Sequence, residues 1–146
     1  MRRALAASVL VALGCEYPRV LRPGVVPKPT RGDLGLTFLS ADEAALAGCA
    51  YLWQHEPRAA KREFCGAIYR DADGIKTGLP EMADEGYCKR PLDPPGTTSE
   101  SGYHSHKQSP EFSWYDKKYA SALGRYLCTP SGLVKKLVGE RTVIVK

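Results

Sequence analysis

The sequence contains no CxxC pair and only three histidines in 146 residues. The first absence argues against a zinc knuckle built from cysteines, and the second leaves little material for any imidazole-based site. The apolar run at residues 4–13 is far short of the about 20 residues needed to span a bilayer. No internal repeat or low-complexity segment is present. Charge of one sign is also scarce: the net charge is +5, and Arg2 and Arg3 supply two units of it. The other basic residues (Lys61, Arg62, Lys117, Lys118, Lys135, Lys136) are dispersed in pairs rather than gathered on one face among stacking aromatics. No nucleic-acid partner is therefore expected. What remains, 43% hydrophobic and 25% charged residues over this length, is the balance of one soluble globular domain.

The first fourteen residues read as a processing signal, with a cationic start at Met1, Arg2 and Arg3 ahead of the apolar run. Ala12-Leu13-Gly14-Cys15 resembles the lipobox of bacterial lipoproteins, which implies cleavage before Cys15 and its lipidation. An ordinary secretory signal or a short buried helix are the alternatives. The expected organisation is a signal peptide over 1–14, a lipid-anchored Pro-rich tether over 15–36 and a folded domain over 37–146. The expected location is the bacterial cell envelope, with the lipid anchor holding the chain to a membrane. Beyond Cys15 four cysteines remain, Cys49, Cys65, Cys88 and Cys128. In an exported chain they suggest two disulfides in any of three connectivities; in a chain that is not exported they would be small buried thiols.

Ser40 is a suitable N-cap for a helix whose residues Ala45, Leu46, Cys49, Leu52 and Trp53 share a face, with Asp42 and Glu43 at its positive end. His55 and Pro57 mark its end. Residues 63–70 (EFCGAIYR) predict a strand, 71–74 (DADG) a turn and 75–79 the returning strand. The Pro-, Gly- and acid-rich stretch 80–101 predicts a long loop, 102–105 a short strand and 113–127 a second amphipathic helix. Turns at 130–132 and 139–141 then separate the last strands. This order predicts an α+β domain with a mixed sheet flanked by helices.

Two of the three histidines sit together in "YHSHKQSPEFSWYD", residues 103–116. A strand alternates its side chains, so His104 and His106 point to one face about 6.6 Å apart along the backbone. Two imidazoles and the carboxylate of Asp116 make a suitable donor set for zinc, with a fourth position left for water. The same residues have a plainer reading. Ser113-x-x-Asp116 also resembles a capping box, and two histidines on one strand face are equally compatible with plain surface residues. A hydrolytic metal would need a base, and Glu63, at the start of a buried strand, is placed for it; alternatively it pairs with Arg62 or Lys61.

Glu63 in E-F-C-G-A-I-Y, then His104-Ser105-His106 about forty residues later, then Ser113-x-x-Asp116, resembles the JAMM signature of the JAB/MPN metalloprotease superfamily. The likeness covers roughly residues 40–140 and is nearest to bacterial JAB-like domains of unknown function. It implies a small JAB/MPN-like, cytidine-deaminase-like fold. It also implies Zn2+ on His104, His106 and Asp116, Glu63 as catalytic base and Ser113 as donor to the tetrahedral oxyanion. The implied activity is that of a zinc metallopeptidase cleaving a peptide or isopeptide bond in a peptide or protein substrate. Six residues separate His106 from Ser113 where the signature has seven, and Lys107 stands where many members have proline; the one-residue deletion bears on the placement of Asp116. The rival expectation is a catalytically silent JAB-like lipoprotein that serves as a binding or scaffold module, and a toxin-type effector is a third. Cys65, on the strand face of Glu63, is expected in a disulfide or as a buried thiol rather than as a fourth ligand.

Overall fold

Ser40 sets the start of the first helix: its Oγ accepts the Glu43 N–H at 3.2 Å, while Glu43 Oε2 accepts the Leu39 N–H at 2.9 Å. The first bond satisfies a donor that a helix start leaves open, and the second ties down the residue before the cap. The helix, α1 (Ala41–His55), buries Ala44, Ala45, Gly48, Cys49 and Leu52 on one face, with Leu46 and Trp53 partly buried beside them. The protein is described by a computed structural model over residues 28–83, 88–120 and 124–146. The expected signal sequence, Cys15 and the first part of the expected tether lie outside the described residues.

The strands are β1 (Phe64–Arg70), β2 (Ile75–Thr77), β3 (Glu81–Met82), β4 (Thr98–Ser105), β5 (Tyr126–Cys128), β6 (Val134–Val138) and β7 (Arg141–Ile144). They form one mixed sheet in the order β2-β1-β4-β5-β6-β7, with β3 beside β1. Of the strand pairs among the described residues, β4 and β5 alone run parallel, and the connection between them carries the second helix, α2 (Trp114–Lys118). The α+β class with a mixed sheet is as expected from the sequence.

The alternation of strand side chains divides the core between the two sheet faces. Phe64, Ile68, Tyr103, Tyr126, Cys128 and Val134 pack with α1. Phe112, Leu127 and Leu137 cluster on the other face, which the segment leading into α2 covers. Gly66 is required on the α1 side: a Cβ there would lie 2.2 Å from the ring of Tyr103, which is fully buried and donates its hydroxyl to Gly78 O at 2.8 Å. Cys49 pairs with Cys128, joining α1 to β5, and Cys65 pairs with Cys88, tying the stretch after β3 to β1. Among the described residues no helix is long and apolar enough to cross a membrane.

Two expectations are corrected. The second helix does not reach residue 127: α2 ends at Lys118, and Gly124 adopts φ 92° where a Cβ would lie 2.2 Å from Gly102 O. Backbone contact of that kind admits no helix there, and β5 begins at Tyr126. The stretch 80–101 is not all loop, since β3 pairs with β1 and β4 begins at Thr98. Within the described part of residues 15–36, Pro29 bridges to Leu92 and Asp33 to Gly78; Phe38, just after it, bridges to Ile75.

Candidate metal centre

β1 and β4 pair antiparallel, with Cys65 opposite His104 and Gly66 opposite Tyr103. Residues directly opposite share a face, so His104 and Cys65 face away from the α1 core that holds Tyr103. His106 follows His104 on the same face just beyond the end of β4. Carried two residues past the last pair, the same register sets Glu63 across from His106.

α2 delivers the carboxylate. Ser113 caps it: Asp116 N–H donates to Ser113 Oγ at 3.2 Å, and Ser113 N–H donates to Asp116 Oδ2 at 2.6 Å. The capping box foreseen from Ser113-x-x-Asp116 is therefore formed. It aims the carboxylate at the strand, where Oδ1 lies 3.2 Å from His104 Nε2 and Oδ2 lies 3.1 Å from His106 Nε2. The six residues between His106 and Ser113 let Asp116 reach both histidines. Phe112, just before the cap, sets its ring edge against His104 with centroids 5.9 Å apart.

The three ligand atoms lie within 4.8 Å of one another. Zinc bonds to nitrogen and oxygen of about 2.0 to 2.2 Å in a tetrahedron put neighbouring ligand atoms roughly 3.4 Å apart, so the two carboxylate–imidazole approaches are already close to that spacing. The His104 ring is a second observation on the fit. It is buried, and its Nε2 approaches Asp116 off the hydrogen-bond direction, so neither ring nitrogen has a hydrogen-bond partner among the described residues. A buried imidazole nitrogen without a hydrogen bond is costly unless something else uses it. The residues present fit a metal ion, and the His104, His106, Asp116 group could hold one.

The electrostatics of the site follow from burial and mutual charge. Desolvation works against ionisation of Asp116, but the close approach of the His104 and His106 imidazoles, with the Ser113 cap, holds its carboxyl well below the usual range. Burial alone would lower the His106 imidazole; the Asp116 carboxylate outweighs it and holds the group above its ordinary value. Glu63 is raised by desolvation, with the two histidines opposing and Asp116 reinforcing the shift. Glu63 thus feels all three members of the group without belonging to it.

Other residues singled out from the sequence are placed as follows. Ser113 is exposed at the cap, with Trp114 beside it 62% exposed and the Lys118 ammonium 4.6 Å above its ring. Tyr103 belongs to the α1 core. His55 ends α1, its ring against Tyr51 with centroids 4.3 Å apart. Cys65 is in the disulfide with Cys88. Ser105, between the two histidines, was not foreseen as functional, yet its Oγ accepts the Phe64 N–H at 3.1 Å in a buried bond. Comparison of the chain with protein-family models, with characterised proteins and with solved structures returned no match.

Proposed function

We propose that the protein is a zinc-dependent hydrolase of peptide or isopeptide bonds, with the chemistry of the JAB/MPN superfamily that its sequence resembles. The observation that carries this reading is the convergence of His104, His106 and Asp116 on one point, with the buried His104 ring lacking any hydrogen bond. Zinc bound there would polarise a carbonyl and lower the pKa of water to about 7. Asp116 and the two imidazoles would hold the ion, and the capping box keeps Asp116 from turning away. Glu63, raised by its partial burial, takes a proton from the attacking water and returns it to the leaving amine. Ser113 keeps a hydroxyl proton free for donation, because its Oγ acts as acceptor toward Asp116 N–H; that proton is offered to the oxyanion. The site is the working part of an exported, lipid-anchored protein, with Cys15 as the point of attachment. Cys49–Cys128 and Cys65–Cys88 are compatible with an oxidising compartment.

One feature favours the silent binding module instead. Asp116 already has Ser113 N–H and the His106 imidazole within reach, and such a network can hold the segment in place without metal. Metal analysis separates the two readings. The full chain, purified without a histidine tag and supplied with zinc, should carry about one ion per chain, and His104→Ala and Asp116→Ala should each lose most of it. Wild-type protein that keeps no zinc after desalting would leave the binding-module reading standing and remove the hydrolase.

A further inference from the structure

The ladder between β1 and β4 ends at the pair Cys65 and His104. The next pair would be Phe64 with Ser105, and there a side chain replaces the backbone: Phe64 N–H donates to Ser105 Oγ at 3.1 Å. Both residues are buried, Ser105 completely. A hydroxyl acceptor stands further from its own backbone than a carbonyl in a ladder pair, so the strands part where Glu63 and His106 come next. The same peptide unit is held at its other end, since the Glu63 carbonyl accepts the Ala83 N–H at 2.8 Å. The plane between Glu63 and Phe64 is therefore clamped from both sides, which fixes the direction in which the Glu63 side chain leaves the backbone.

We propose that Ser105 is a positioning residue of the candidate metal centre, setting the gap between Glu63 and His106 through its bond to Phe64 N–H. The proposal rests on the metal reading given above. Ser105 points to the opposite face from its two neighbours, so it touches no ligand and acts only through the backbone. A gap held open at this point leaves room between the carboxylate and the ion. Misplacement of a reacting group by about 1 Å can cost about a hundredfold in rate, which is why a bond outside the ligand set matters to the chemistry.

The test uses the full chain loaded with Co2+ in place of zinc. It reads the pH midpoint of the visible absorption, which reports the proton equilibrium that Glu63 shares with the open position of the metal. Each variant is first checked for one Co2+ per chain. Ser105→Thr keeps the acceptor and should keep the wild-type midpoint. Ser105→Val differs from it only by a methyl in place of the hydroxyl, and should move the midpoint in the direction that Glu63→Gln moves it. Ser105→Ala, which only removes atoms, should do the same and serves if the valine variant does not fold. Adding Ser105→Ala to Glu63→Gln should produce no further shift, because both act through one carboxylate. A wild-type midpoint in Ser105→Ala, or a shift that adds in full to that of Glu63→Gln, overturns the role of Ser105 while the metal site stands. Wild-type protein that takes up no Co2+ overturns the metal reading, and this inference with it.

Discussion

Glutamine at position 63 would keep the shape of glutamate and lose its proton affinity. If Glu63 is the base, Glu63→Gln should retain about one zinc per chain while hydrolysis of any peptide the wild type cleaves falls by about 10² to 10⁴. Loss of metal in that variant would make Glu63 a ligand and contradict its place outside the group formed by His104, His106 and Asp116. These three were readable from the sequence because each signal is local: HxH on a strand and a Ser-x-x-Asp cap both depend on spacing within fourteen residues. Glu63 was readable only through its resemblance to a four-part pattern, since nothing near it in the chain marks a site. Ser105 was not readable at all. Its role exists only once β1 and β4 are in register, and a serine between two histidines carries no sign of which backbone amide it will meet.

At the scale of elements, the reading from sequence succeeded where one signal was repeated and failed where two signals competed. α1 combines a cap, acidic residues in its first turn and a continuous buried face, all in agreement. The stretch expected as a second helix has a cap and helical spacing, but Gly124 must pass against the Gly102 backbone, a contact made by residues more than twenty apart in the chain. The beginning of β4 was missed because Thr98, Ser99 and Glu100 are exposed and polar, so no alternation of apolar and polar residues announces a strand. The prediction that belongs here concerns the bridge from α1 to β5. Cys49 and Cys128 are 79 residues apart with Cα atoms 5.2 Å from each other, and loop-closure entropy of that span is worth about 4 kcal/mol. The double variant Cys49→Ser/Cys128→Ser should lower the denaturant midpoint accordingly. Cys65→Ser/Cys88→Ser, which opens a span of 23 residues, should cost less, roughly 3 kcal/mol. Equal midpoints for wild type and the first variant would mean that the bridge does not form.

For the whole molecule, the proposed setting is the outer side of a membrane, and the anchor can be separated from the fold. Cys15→Ala, made in a bacterial host, should abolish incorporation of labelled fatty acid and move the protein from the membrane fraction to the soluble one; unchanged fractionation would remove the lipoprotein reading. The residues that meet at the candidate centre come from the start of β1, the end of β4 and the first turn of α2, and β1 pairs with β4 across about forty positions of chain. Contacts this distant in sequence are slow to form, because loop closure must precede the pairing that rewards it. The HxH strand end and the α2 cap alone give an incomplete and unoriented set of groups. An ion that needs the assembled site arrives after the folding barrier, so it leaves the folding rate as it is and lengthens the life of the folded chain by slowing its opening.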